Sequence, residues 1–160
     1  MFVLGIDPGL SATGYGLVEG SHPPRAHRAG VIRTGTDMPT PKRLAELHRG
    51  LTEVINETTP EVIALETIFT NRNLQTAISV GRASGVALLV AAQAGLPVFE
   101  YVPTAIKSAV TGDGSANKDQ VQQMVTRLLR LQDPPKPADA ADALAIALCH
   151  LRVAPLEASR

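Results

Sequence analysis

The stretch Phe2-Val3-Leu4-Gly5-Ile6-Asp7, followed by the turn Pro8-Gly9, decides how the rest of the chain is read. A short apolar run with Val, Leu and Ile and no alternation reads as a strand covered on both faces, at the centre of a sheet. The run ends in a carboxylate. Burying that charge is costly unless it meets a partner. Asp7 therefore sits at the strand's exposed end or faces a cation. An Asp-Pro-Gly turn is also ordinary turn chemistry. On this stretch alone the two readings of Asp7 stand level.

Working outward, Gly14 to Glu19 reads as a second strand, joined to the first by the loop Leu10-Ser11-Ala12-Thr13 as a hairpin. A third strand covers Arg28 to Thr34, beyond the Pro23-Pro24 turn, and completes an antiparallel meander. Thr40-Pro41 opens a helix. Its apolar stripe is Leu44, Leu47, Leu51, Val54 and Ile55, with His48 at the edge of the core. Val62-Ile63-Ala64-Leu65-Glu66 then repeats the form of the first strand, an apolar run closed by an acid. A helix between sheet partners implies a crossover and parallel pairing. Paired in parallel, the two strands bring Asp7 and Glu66 out at one edge of the sheet.

Ile68 to Asn73 is a polar loop with one large aromatic, Phe69. Phe69 either stacks on a base or tucks onto the helix that follows. That helix, Leu74 to Ala94, carries small residues at Ala77, Gly81, Ala83, Ser84 and Gly85. Being apolar nearly all round, it is expected to be buried on more than one side. It is the candidate homodimer contact, with internal burial the alternative. Its apolar stretch around Gly85 to Gly95 reads as too short to cross a bilayer. Val98 to Val102 is the fifth strand. A helical turn from Pro103 presents Lys107, and Asn117 caps a helix with the stripe Val121, Met124, Val125, Leu128 and Leu129. Lys118 lies in that helix's first turn, where the dipole disfavours a cation, so it is expected to serve something outside the helix. The last helix runs from Ala138 to about Leu151, with a frayed end from Val153.

Asp139 and Asp142 lie three residues apart at the start of that helix and point to one side. A first-turn acid complements the helix dipole. That does not account for Asp142, which leads into the apolar run Ala143 to Cys149. Together with Asp7 and Glu66 these carboxylates can supply a pair of hard cations, the clamp for phosphodiester cleavage. The histidines are scattered and Cys149 stands alone, so zinc-type ligand spacing is absent. No Walker-type phosphate loop or Gly-x-Ser-x-Gly elbow is present.

The bulk numbers agree with a globular domain. The chain has 160 residues, 44% of them hydrophobic and 19% charged, enough for one core. A single cysteine excludes an internal disulfide and points to a reducing cytoplasm. The N-terminus has no signal-peptide pattern. A formal net charge of zero argues by itself against a nucleic-acid binder. Between Thr67 and Gly112, however, Arg72, Arg82 and Lys107 face the single acid Glu100, so a neutral total is compatible with a basic face beside an acidic pocket.

Gly5-Ile6-Asp7-Pro8-Gly9, Ala64-Leu65-Glu66, the Gly114-Ser115-Ala116 turn before Lys118, and Ala138-Asp139-Ala140-Ala141-Asp142-Ala143-Leu144-Ala145 together resemble RuvC, the bacterial Holliday-junction resolvases. The likeness runs from Met1 to about Arg152. It implies an α/β, ribonuclease-H-like fold: a five-stranded mixed sheet flanked by helices on both faces. It implies one nuclease domain over 1–153 and a short tail over 154–160. It implies a cytoplasmic homodimeric endonuclease of recombination and repair that resolves four-way junction DNA by paired symmetric nicks, leaving 5′-phosphate and 3′-hydroxyl ends. Mg2+ is the implied cofactor, two ions per site, with Mn2+ as a substitute. Asp7, Glu66, Asp139 and Asp142 are the implied metal-binding and catalytic tetrad. Some family members carry His in place of Asp139. Lys107 and Lys118 are implied near the scissile phosphate and Phe69 at the opened bases; Arg72 and Arg82, cations in the acid-poor stretch after Thr67, are further candidate DNA contacts. A branch-migration complex (RuvA and RuvB) is the implied partner, and no membrane. Two other readings compete. Actin-like ATPases and sugar kinases share the opening strand and turn, but need two such domains, for which this chain is too short. A junction-binding module with merely structural acids is the non-enzymatic alternative.

Overall fold

The computed structural model describes residues 1–67 and 73–157, the last three by backbone alone. The elements follow the order β1 (Phe2–Asp7), β2 (Ala12–Glu19), β3 (Arg25–Arg33), α1 (Thr40–Thr58), β4 (Val62–Glu66), α2 (Leu74–Gln93), β5 (Val98–Tyr101), α3 (Pro103–Thr111), α4 (Lys118–Leu128) and α5 (Ala138–Glu157). The five strands form one sheet in the order β3-β2-β1-β4-β5. The β1–β2 and β2–β3 pairs are antiparallel, and the β1–β4 and β4–β5 pairs are parallel. The sheet is therefore mixed, with β1 at its centre as the unbroken apolar run predicts.

Alternation along β1 feeds two cores. Leu4 and Ile6 pack with Leu47 and Leu51 of α1 and Ala83 and Ala87 of α2. Val3 faces the other way, into a core with Leu144 and Leu148 of α5, Ile106 of α3 and Val125 of α4. Leu4, Ile6 and Val3 are all fully buried. Each such side chain is worth roughly 1.5–3 kcal/mol on removal from water. Helices thus cover both faces of the sheet.

The crossover through α1 sets the parallel register. Ile6 stands opposite Leu65, so Asp7 and Glu66 leave the sheet side by side. Helix α1 starts at Pro39 without a side-chain cap, with Pro41 in its first turn, and stops at Thr59 in the left-handed conformation, φ 43°. Its buried stripe is Leu47, Leu51, Val54 and Ile55.

Helix α5 crosses the sheet at very short range because glycines floor the crossing. A Cβ on Gly5 would run into the carbonyl oxygen of Ala143, and one on Gly14 into that of Asp139. Only glycine admits a neighbouring backbone this closely. Helix α5 also outlasts the frayed end expected from Val153. It continues to Glu157, since Leu151 and Val153 still pack on the core.

Within the chain, helix α2 is buried on one side. Its buried residues are Ala83, Ser84, Ala87, Val90 and Ala91, all facing the core. Leu74, Ile78, Leu88 and Leu89 are exposed, Leu74 at 76% and Leu89 at 51%. Intramolecular packing accounts for one face only. By length and composition this 20-residue helix is also sufficient to cross a membrane, contrary to the shorter stretch read from the sequence. The amphipathic split and the contacts with α1 are those of a helix laid on a protein core.

Candidate active site

Asp7 ends β1 where the chain turns through Pro8 and Gly9. The turn is fastened from within. The Thr13 hydroxyl donates to the Gly9 carbonyl at 2.6 Å, and the Gly9 N–H donates to the same hydroxyl oxygen at 3.3 Å. The Thr34 hydroxyl, at the end of β3, donates to the Leu10 carbonyl at 2.6 Å. These bonds keep the loop from carrying Asp7 away from the sheet end. Glu66 ends β4, and the following Thr67 N–H donates to the Tyr101 carbonyl at 2.8 Å.

The third contribution is the first turn of α5. Gly14 is the register partner of Asp7, and the Asp139 backbone lies directly on Gly14. Asp139 is thereby brought over the strand pair that carries Asp7. Asp142 stands one turn on, half-buried at 27% exposure. Helix α4 adds Lys118. Its N-terminus is a capping box, with the Asn117 side chain accepting from the Gln120 N–H and the Gln120 side chain accepting from the Asn117 N–H. Lys118 Nζ lies 2.8 Å from Asp142 Oδ2. The misplaced first-turn cation does serve another element, as expected. Glu66, Lys107, Lys118 and Asp142 line one cleft of about 260 Å³, floored by Ile106, Val121 and Ile146.

Electrostatics ties the carboxylates together. Burial, then the charges of Glu66, Asp142 and Asp139, push the Asp7 carboxyl up to about 7 from its ordinary 3.8, against the pull of Lys118. Glu66 is raised by burial and by Asp142, and lowered in part by Lys107 and Lys118. Lys118 is held above the usual lysine value, chiefly by its hydrogen bond to Asp142. Asp7, raised by burial and by three neighbouring acids, and Glu66, raised by burial and by Asp142, mark a site that draws cations. The donors are gathered without being closed around an ion. Among the described residues no three acidic, histidine or cysteine groups converge on a single ion position, and an ammonium occupies Asp142. Hard oxygen ligands with room for water are the donor set that suits Mg2+.

Phe69 and Arg72 lie outside the described residues. Arg82 is exposed on α2 and does not line the cleft. Two polar groupings escaped the sequence reading. The Tyr101 hydroxyl and His150 Nδ1 meet at 2.7 Å in the interior. Arg43 of α1 reaches the β1–β2 turn, with Nη2 donating to Ser11 Oγ at 2.7 Å and Nε to Thr34 Oγ1 at 3.0 Å. Both join residues far apart in sequence, where no local pattern signals them.

A mixed sheet with acids at adjacent strand ends, crossed by a helix bearing two more, defines the class of ribonuclease-H-like nucleases. The comparisons narrow it. The model of the crossover junction endodeoxyribonuclease RuvC family matches residues 3–150. The chain is 50% identical over 153 residues to the crossover junction endodeoxyribonuclease RuvC of Salinispora arenicola, covering 94% of this chain and 87% of that protein. It is 51% identical over 155 residues to that of Desulfitobacterium hafniense, covering 94% and 92%. The solved T. thermophilus RuvC in complex with Holliday junction substrate superposes with a TM-score of 0.92 at 38% identity, over 98% of this chain and 96% of that one. The chain belongs to the crossover junction endodeoxyribonuclease RuvC family. Its activity is endonucleolytic resolution of Holliday junctions, and its fold is ribonuclease-H-like.

Proposed function

We propose that Asp7, Glu66, Asp139 and Asp142 are the ligands and catalytic acids of this nuclease, that they hold two Mg2+ ions with Mn2+ as a substitute, and that four-way junction DNA is bound across this end of the sheet. The observation that carries this reading is the gathering of carboxylates from two adjacent strand ends and the start of α5, where burial and the charges of Glu66, Asp142 and Asp139 raise Asp7. Such a cluster is costly in isolation and stable once cations compensate it. Divalent ions held by these carboxylates would supply Lewis-acid chemistry toward an attacking water and a departing 3′ oxygen.

The chain's own residues do the rest. Asp7 and Glu66, set at adjacent strand ends, present donor oxygens from the sheet. Asp139 and Asp142 close the set from α5. Lys107 and Lys118 offset charge that develops on the phosphate oxygens. The wall of Ile106, Val121 and Ile146 lowers the local dielectric and strengthens each of these interactions. The products are 5′-phosphate and 3′-hydroxyl ends. Phe69 stacks on the opened bases, and Arg72 and Arg82 contact the DNA backbone.

The reading extends to assembly. Two copies pair through the exposed apolar face of α2, so that two strands are nicked symmetrically. Residues 1–153 form the nuclease domain, with 154–160 as its tail. The protein works in the cytoplasm after a branch-migration complex (RuvA and RuvB). The test is nicking of a synthetic four-way junction with and without Mg2+, alongside linear duplex. Nicking of the junction that requires the metal, gives ligatable ends and spares the duplex is the expected result. Equal cutting in chelator rejects the metal assignment.

A further inference from the structure

We infer that Arg43 is a DNA phosphate-contacting residue, forming a second anchor on the face of the sheet opposite α5. The inference rests on the nuclease reading above, since DNA is the anion it supplies. Three observations carry it.

The first is position. Arg43 reaches from α1 to Ser11, in the turn that follows Asp7, and to Thr34, the residue after β3 ends. Residue by residue, β1 ends and β2 begins at the same edge, and Thr34 is locked to that turn by its N–H donating to the Ser11 carbonyl at 3.2 Å and its hydroxyl to the Leu10 carbonyl. Arg43 therefore stands at the edge that carries Asp7 and Glu66. Leu4 and Ile6 turn their side chains to α1, and Val3 to α5. By the same alternation Asp7 faces the α5 side, so Arg43 and the acids flank the edge from opposite faces.

The second is pairing. A guanidinium carries five N–H donors and a permanent charge. Arg43 is half-buried, and its side chain donates to two neutral hydroxyls. Among the described residues no carboxylate lies in ion-pair range of it. Arg28, by contrast, is paired with Glu57. A partly desolvated cation with neutral partners only is under-compensated, and an anion bound beside it completes it. A tie between α1 and the turn needs only a neutral amide, so the charge is left over.

The third is the surrounding field. Arg33 and Lys42 are both exposed beside it, Arg33 in register with Ala12 at the same edge. Two acids lie nearby, exposed Asp37 close to Gly35 and Glu46 one turn on along α1, so the three cations exceed them by one charge. The edge thus presents a basic flank next to an acidic site. A continuous phosphodiester chain fits this alternation, with the scissile phosphate at the acids and a phosphate of the neighbouring stretch on Arg43. The bidentate geometry of Arg suits phosphate oxygens.

The test is equilibrium binding of a synthetic four-way junction in the absence of divalent metal, across roughly 50–200 mM salt, where counterion release reads the number of phosphate contacts. Arg43→Gln keeps a donor for the turn and removes the charge. It is expected to weaken binding roughly tenfold and to lower the slope of log affinity against log salt by about one. Arg43→Lys is expected to keep the slope. An unchanged slope in folded Arg43→Gln overturns the proposal, as does an Arg43→Lys variant with the same loss as Gln. Should Arg43→Gln fail to fold, the double variant Arg33→Gln/Lys42→Gln reads the same flank from exposed positions, and an unchanged slope there also overturns it. Cleavage is not part of this measurement, so its outcome stands apart from that of the metal assignment, which is judged on Asp7→Asn nicking.

Discussion

Gly14 and Asp139 are in direct backbone contact, and Gly14 is the register partner of Asp7. The approach of α5 to the sheet is set by the missing side chain. Gly14→Ala forces the start of α5 outward and separates Asp139 from Asp7. Overpacking of this kind costs roughly 1–3 kcal/mol. Loss of stability by denaturant titration, together with a fall in nicking larger than the unfolded fraction accounts for, is expected. Nicking that merely tracks the folded fraction rejects a positional role for this contact.

Asp7→Asn removes the acid at the centre of the cluster. Nicking should fall by several orders of magnitude while junction binding in chelator persists, because the positive contacts remain. A variant that nicks at near-normal rate removes Asp7 from the reaction.

The same substitution has a signed pH dependence. Asp7 ionises near 7 in the folded protein and near its ordinary 3.8 when exposed. Below that ordinary value both states are protonated and Asp7 costs nothing. As pH rises toward 7 the unfolded chain releases the proton first, and folding loses stability. Above about 7 the penalty is complete. In chelator, Asp7→Asn should therefore melt no higher than the parent at pH 4 and roughly 5 °C higher at pH 8. A constant offset across pH contradicts the shift.

Divalent ion acts in the opposite sense on the parent. Mg2+ that binds only the folded state stabilises by about 2.7 kcal/mol at a hundredfold excess over its dissociation constant. Melting at pH 8 should rise with Mg2+ in the parent and much less in Asp7→Asn. An equal rise in both points to a site elsewhere.

Lys118→Met frees Asp142 from its 2.8 Å partner. The lysine is 58% exposed, so the pair contributes little to folding. Nicking at saturating junction should nevertheless drop roughly 10- to 1000-fold, the scale for loss of a charge-stabilising donor. Large destabilisation with an unchanged rate reverses the assignment.

The outer face of α2 predicts self-association. Leu89→Asp, at a 51% exposed position, should leave the fold intact and shift the sedimenting species to half the mass. It should also uncouple the paired nicks on one junction. A parent that sediments as a monomer at micromolar concentration removes α2 as the dimer contact.

Much of this was legible without coordinates. The apolar runs at Phe2 and Val62, each closed by an acid, needed only strand length and the crossover rule to bring Asp7 and Glu66 together. The dipole-disfavoured Lys118 announced a partner outside its helix. The stripes of α1 and α4 followed from their period. The ends of elements were less legible. Helix α5 runs on through Val153 because of packing that a local pattern does not contain. For α2 the sequence leaves a homodimer contact and internal burial both open, since composition reports apolarity and not which side the chain covers; the fold buries one face and exposes Leu74, Ile78, Leu88 and Leu89.

Local and periodic features follow from the sequence alone: which segments are strands or helices, where the acids fall on them, and the family they resemble. The tertiary structure decided what meets what. Asp139 lies over the strand pair that carries Asp7 because Gly5 and Gly14 let α5 lie on the sheet. Lys118 finds Asp142, and Arg43 finds Ser11 and Thr34, across gaps that no short-range signal spans. The physical reason is that hydrophobic period encodes burial, whereas close packing between distant elements depends on the volumes that each face leaves free.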